Sequence, residues 1–342
     1  MFHLSQETKM SKEQSIIIKG IAILMMLWFH LFGIDELEQV CTPLIHINGK
    51  AFVAYLSNAS YPVSFFLILS GYGLTYIFKQ KRLNIIIQSK RLLKLYIHYW
   101  IILLVFVGLS VFVKPGMYDL DFLHIIGNVT AIKCNYNGEA WFLFPYVLLT
   151  LSSPFTINYI YNLHQKKTII ITILFYISLF MTAKYLSDRL PENIVLNTII
   201  LQYYYYVILL FYFILGILLY RLLERNIHSC KSIYYLFPLI VLMVIKSMFK
   251  VTIIDGIYAF VFILLFLKLP LHPYIKKVLY ELGRRSMPIW LTHTFFCVYL
   301  FPDFIYGFKY PIVIFLALVI ITYLTAIPIM YISQFIIKIT KI

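Results

Sequence analysis

Stretches of about 20 mostly apolar residues, the length a helix needs to cross a bilayer, recur along nearly the whole of this 342-residue chain. Ten are legible, near residues 15–34, 61–78, 92–113, 141–160, 168–186, 198–220, 233–249, 252–269, 286–302 and 311–337. A sequence that is 62% hydrophobic and 13% charged leaves too few polar residues to cover a water-soluble domain of this size. The expected fold is therefore all-α and polytopic. The pair 233–249 and 252–269 is the weakest part of the map, because Lys246, Lys250 and Asp255 crowd the turn between its members.

Charge placement tests this map. With the N-terminus on the cytoplasmic side, most of the 29 Lys and Arg residues fall on inner segments. Asp35, Glu36, Glu38, Asp119 and Asp121 fall on outer ones. A map with one span more or fewer scrambles that contrast, so the bias of basic residues toward the cytoplasm predicts an even number of spans and both termini inside. The net charge of +15 then needs no nucleic-acid partner. Orientation in the membrane and attraction to anionic lipid headgroups use it, and a polyanionic cytosolic ligand is a second use. The first apolar run resembles a secretory leader, but 16–32 is long and lacks a small-x-small cleavage site, which predicts an uncleaved first span in the cytoplasmic membrane.

The chain reads as one membrane-embedded domain, 1–342, with no soluble domain appended. Its longest polar stretches, 35–60 and 114–140, are too short for cores of their own. Residues 270–285 place Ile275, Val278, Leu279 and Leu282 opposite Lys276, Lys277, Glu281, Arg284 and Arg285, which predicts a short helix on the inner membrane surface. Cys41, Cys134, Cys230 and Cys297 lack metal-ligand spacing, so no metal site is expected. Cys41 and Cys134 both fall on outer loops, where an oxidising compartment would let them pair.

Ionisable residues inside a span cost free energy and so nominate a functional interior. Lys19 and His30 stand eleven residues apart in the first span, roughly three turns, which puts them on one face about 16 Å apart. Two readings stay open: one long ligand touching both, or a snorkelling lysine and a histidine hydrogen-bonded to a neighbouring helix. Lys90, Arg91 and Lys94 open the third span, either as the ordinary basic flank or as a phosphate clamp. Ser70 and Gly71, in the run Ser70–Gly73, allow close helix packing or passage of a substrate arm. Glu139 and Trp141 mark the outer end of the fourth span, as a partner for a histidine and an interface anchor. His293, about two turns into the ninth span, reads as a buried structural histidine or a substrate contact. The run Tyr203–Tyr206 reads as interface residues or a sugar-stacking surface.

Together these segments resemble the membrane-bound acyltransferase family 3. "KGIAILMMLWFHLF" is similar to that family's first-span motif of a basic residue, ten residues and a histidine. "SFFLILSGYGLTYIFKQK", "SKRLLKLYIHYW", "GEAWFLFPYVLLTLSSPF" and "LGRRSMPIWLTHTFF" resemble its later segments, in order. Lys19 stands where many members have Arg, and His98 where many have Pro. The resemblance implies transfer of an acetyl or similar acyl group from cytosolic acetyl-CoA, or another acyl-CoA, to a hydroxyl of a glycan or lipid-linked saccharide at the cell surface. It implies that His30 is the catalytic base or a transient acyl carrier, assisted by Lys19 and Glu139. Lys90, Arg91, Lys94, Ser70 and Gly71 would hold the donor, and Trp141 and His293 the acceptor. No tightly bound cofactor is expected. A polysaccharide or small-solute transporter is the competing class, but it would call for repeated halves or paired broken spans, and none is legible.

Overall fold

A computed structural model describes residues 9–80, 83–163, 165–187, 189–191, 193–224, 231–249 and 252–341. Cys230 and Lys250 lie outside the described residues, as do the basic residues Lys81, Arg82 and Arg225.

The described chain is a bundle of helices: α1 (Lys12–Phe32), α2 (Leu37–Val40), α3 (Phe52–Asn58), α4 (Val63–Lys79), α5 (Ile85–Val113), α6 (Phe122–Val129), α7 (Leu143–Asn162), α8 (Gln165–Ser187), α9 (Ile194–Glu224), α10 (Leu236–Ser247), α11 (Thr252–Phe266), α12 (Pro273–Arg284), α13 (Ser286–Thr294), α14 (Pro302–Tyr306) and α15 (Pro311–Ile339). Among the described residues the only sheet is a two-stranded hairpin, His46–Ile47 with Lys50–Ala51. Helix is the expected outcome, because a chain in hydrocarbon must satisfy its backbone polar groups internally. Seven described helical stretches are long and apolar enough to cross a bilayer: Lys12–Phe32, Phe52–Lys79, Ile85–Val113, Gly138–Asn162, Lys166–Leu186, Ile194–Glu224 and Pro311–Ile339. The protein is an all-α, multi-pass membrane protein. The other three sequence spans fall on shorter elements: α10, α11, and α13 continued by a π-helical turn at Phe295–Tyr299.

Local signals set the helix ends. Ser11 and Gln14 cap α1 reciprocally, the Ser11 N–H donating to Gln14 Oε1 (2.7 Å) and the Gln14 N–H to Ser11 Oγ (3.1 Å). Asn84 caps α5 and Asp121 caps α6. Pro154 within α7 has no N–H for the carbonyl of Thr150, and the Ser153 hydroxyl donates to that carbonyl instead (2.7 Å).

Two crossings are so close that only glycine fits. A Cβ on Gly20 of α1 would lie 2.0 Å from the Leu279 carbonyl of α12, and one on Gly283 would lie 1.8 Å from the Ile16 carbonyl. A Cβ on Gly71 of α4 would lie 2.1 Å from the Phe213 carbonyl of α9, and one on Gly216 would lie 2.2 Å from Ile68. These contacts fix α12 against α1 and α4 against α9, the small-residue packing that helices in lipid use in place of hydrophobic burial. In α12, Leu279, Leu282 and Gly283 are buried against α1, whereas Tyr274, Ile275 and Val278 stay exposed. Arg285 and Arg284 hold the Glu281 carboxyl of this helix below the usual carboxylate range.

The stretch 114–140 is more than a surface loop. Tyr96, Tyr99 and Trp100, midway along α5, donate to the carbonyls of Thr130, Asn128 and Val129 (2.8, 2.8 and 2.9 Å). The side chain of Asn128, fully buried, donates to the His124 carbonyl and accepts from the Tyr136 N–H. The segment after α6 thus inserts between helices, where each backbone group that leaves helical pairing needs a protein partner. Cys41 and Cys134 are both free thiols.

The glycine crossings yield a stability prediction. Gly71→Val should lower stability by about 2–3 kcal/mol or prevent folding, since the new carbon meets backbone rather than a movable side chain. Gly73→Ala is the control, because a Cβ there meets nothing within 4 Å. Thermal unfolding and size-exclusion profiles in detergent measure both.

Candidate functional site

One cavity of about 540 Å³ runs between α1, α4, α5, α7 and α13. Lys19 and His30 both line it. Since they share one face of α1 about 16 Å apart, the cavity follows that helix for three turns. Ser15, Arg91, Ser286 and Met287 also line it, as do Tyr61, Glu139, Trp141 and Trp290. Its wall is otherwise largely apolar, with Met26, Phe66, Leu67, Leu69, Leu92 and Leu95 along it.

His30 and Glu139 meet here. His30 Nε2 lies 3.0 Å from Glu139 Oε2, with side chains 18% and 24% exposed, so the pair is sheltered yet reachable. Glu139 comes from a short 3-10 turn, Gly138–Phe142, which α13 and the turn after it hold in place. The Asn137 amide donates to the Leu291 carbonyl (2.8 Å) and the Tyr299 hydroxyl accepts from the Gly138 N–H (2.9 Å). Trp290 Nε1 donates to the Glu139 carbonyl (3.1 Å), and its ring stacks on Phe142 at 4.2 Å. With Nε2 committed to Glu139, no hydrogen bond among the described residues occupies Nδ1 of His30. A neutral imidazole held this way keeps its second nitrogen as a proton acceptor.

The charges are split along the cavity. Lys19 has no hydrogen-bond or ion-pair partner among the described residues, and Arg91 spends one bond on Gln88 Oε1 (3.3 Å). Glu139 is the one carboxylate among the lining residues, and it is paired with His30. One end therefore presents two cations with no carboxylate in the wall, and the other a histidine–carboxylate pair. Between them, Ser70 Oγ and the Tyr146 hydroxyl meet at 3.0 Å, and Thr150 adds a buried hydroxyl without a partner.

Of the residues singled out from sequence, Lys19, His30, Ser70, Arg91, Glu139 and Trp141 line this cavity. The others do not. Gly71 is turned toward α9 and is needed for the crossing with Gly216, so its place is in packing rather than ligand contact. Lys90 is exposed, as is Arg91, and the Lys94 carbonyl accepts from His98 Nδ1 (2.7 Å); neither lysine lines the cavity, to which α5 contributes Arg91, Leu92 and Leu95. His293 is fully buried behind His30, with ring centroids 4.8 Å apart and Nδ1 donating to the Trp290 carbonyl (2.5 Å). It supports the site from behind and does not line it. Of the tyrosine run, Tyr205 packs on Trp141 at 4.8 Å and the Tyr206 hydroxyl meets Ser152 Oγ at 3.0 Å.

Ser15, Tyr61, Tyr146, Thr150, Ser286 and Trp290 also line the cavity, though, Ser15 apart, their spacing in sequence does not single them out. Ser15 had a legible signal, standing four residues before Lys19 on the same face. The others depend on how their segments are turned in the bundle, and spacing within one segment does not carry that.

The turn that bears Glu139 can be tested without any assay of activity. Asn137→Ala removes the bond to Leu291 and leaves its carbonyl buried, so stability should fall by about 1–3 kcal/mol. Unfolding of the detergent-solubilised protein measures it.

A model of a protein family described as an acyltransferase domain matches residues 14–331. No curated protein and no solved structure matches the chain.

Proposed function

The chain belongs to acyltransferase family 3, and from that membership we propose that it transfers an acyl group, most simply acetyl, from cytosolic acyl-CoA to a hydroxyl of a cell-surface or exported glycan. The observation that carries this reading is the single cavity that joins Lys19 and Arg91 at one end to His30 and Glu139 at the other. In this reading ten spans cross the cytoplasmic membrane, both termini face the cytosol, and the Lys19 end opens inward.

A diphosphate-bearing thioester suits such a cavity. Its phosphates meet Arg91 and Lys19, and its arm has about 16 Å to climb before the thioester reaches His30. A glycan hydroxyl approaches from the other end, where Trp141, Tyr61 and Trp290 offer aromatic faces to a sugar ring.

The chemistry is a general-base acyl transfer. Glu139 accepts a hydrogen bond from the Nε2–H of His30 and so fixes the tautomer, leaving the Nδ1 lone pair to take the hydroxyl proton. The hydroxyl oxygen bonds to the thioester carbonyl carbon, the tetrahedral intermediate expels the thiolate, and the Nδ1 proton passes to sulfur. The products are an ester and free CoA thiol, so no proton is gained or lost. The variant route places the acyl group briefly on the same nitrogen, with donor and acceptor bound in turn.

His30→Ala should abolish acyl transfer from labelled acetyl-CoA while leaving expression and unfolding temperature close to those of the parent. Retained transfer would sink the mechanism. Glu139→Gln should lower kcat by about 10²–10⁴-fold, the usual range for losing one partner of an acid–base pair. A shift in acceptor KM alone would place Glu139 in binding instead. Replacing His30 with Nδ1-methylhistidine should abolish turnover by blocking the accepting nitrogen.

A further inference from the structure

The basic end of the cavity holds a feature that the basic residues of α5 do not explain. We propose that the first turn of α13, with Ser286 and Ser15, forms a phosphate-binding site that faces Lys19 and Arg91. The proposal rests on the acyl-CoA reading for the identity of its ligand, but on the structure for its location.

Three observations converge. First, α13 begins at Ser286 directly after α12 ends at Arg284, and no side chain caps its N-terminus. The leading N–H groups of a helix have no acceptor within the helix and carry the positive end of its dipole, which makes the first turn a place for an anion. Pro288 at the third position has no N–H to satisfy. Second, Ser286 is only 8% exposed, yet it lines the cavity, and no hydrogen bond among the described residues engages its hydroxyl. A buried hydroxyl left free toward a cavity is a donor awaiting a ligand. Third, Lys19 is a cation without a partner, and Ser15, four residues earlier on the same face of α1, adds another unengaged hydroxyl to the wall.

The chemistry of this group of donors is specific. Two cations and a helix N-terminus offer only donors and positive charge, two hydroxyls add a donor each, and the one lining carboxylate is paired with His30. A neutral carbohydrate would leave two cations and a helix N-terminus without a counter-charge, and an acyl chain would need none of these groups. A phosphoryl group, with several anionic oxygens and no proton to give, fits all of them. In acyl-CoA that group is the diphosphate at the head of the pantetheine arm, and an inorganic or lipid phosphate shares its chemistry. The crossing of Gly20 with α12 is then part of the site, because it sets how near the start of α13 lies to Lys19.

The test is equilibrium binding to the full-length protein in lipid nanodiscs, with coenzyme A, pantetheine and inorganic pyrophosphate as probes. Wild-type protein should bind coenzyme A and pyrophosphate in competition, and pantetheine far more weakly. Ser286→Val should weaken coenzyme A and pyrophosphate by about tenfold, the loss expected for a hydrogen bond to a charged group, and leave pantetheine unchanged. Ser286→Thr, which keeps the hydroxyl, should restore binding to within about threefold of wild type. Ser15→Ala gives a second reading at a less buried position and should weaken pyrophosphate measurably. Equal pyrophosphate affinity in wild type, Ser286→Val and Ser15→Ala would overturn the site, as would a Ser286→Val loss that extends equally to pantetheine. Pyrophosphate binding that depends on Ser286, without coenzyme A binding, would keep the site and retire acyl-CoA as the donor.

Discussion

The contact between His30 Nε2 and Glu139 Oε2 is the interaction that the surrounding helices and turns are arranged to hold. Its partners come from different kinds of backbone, one from a long regular helix and the other from a 3-10 turn at the end of an inserted segment. A helix in hydrocarbon supports itself, but the turn does not. It is held by Asn137 and Gly138, bonded to Leu291 and Tyr299, and by Trp290, which binds the Glu139 carbonyl and stacks on Phe142. The insertion before it is held in turn by Tyr96, Tyr99 and Trp100 of α5. A sheltered carboxylate beside a histidine thus rests on polar groups contributed by two other helices and the π-helical turn after α13.

The same logic gives the two glycine crossings their importance. Lipid gives no hydrophobic drive for helices to associate, so the bundle depends on close backbone approach and polar contacts. Gly20 with Gly283, and Gly71 with Gly216, supply the approach. The first crossing sits beside Lys19 and the second one residue from Ser70, so the walls of the cavity are fixed where the backbone is closest. Where the helices stand farther apart, between α1, α4, α5 and α7, the cavity remains.

Periodicity and charge were enough to read an all-helical membrane protein and to place Lys19 and His30 on one face, because both signals lie within a single segment. Motif order along the chain was enough to reach the family. The length of the shorter elements was less legible, since apolar character in 233–249, 252–269 and 286–302 does not reveal that each is helical over only part of its run. The site was half legible. Arg91 and Lys94 look alike in sequence, and only the rotation of α5 in the bundle brings Arg91 to the cavity wall. Gly71 reads in sequence either as a packing residue or as a passage for substrate, because a missing side chain is equally useful to a ligand and to a neighbouring helix, and the crossing with α9 uses it for packing. Ser286 stands in the segment LGRRSMPIWLTHTFF that resembles the family, but its place in the site depends on where α12 breaks and which cavity the break faces.

The central claim is that one cavity carries a donor from Lys19 and Arg91 to His30. A cryo-electron microscopy structure with a non-transferable thioether analogue of acetyl-CoA tests it most directly. Phosphate density is expected beside Lys19, Arg91 and the start of α13, with the sulfur within about 4 Å of His30, contact distance for the reacting atoms. Density for the analogue outside this cavity, or inside it with the sulfur far from His30, would rule out this path for the donor.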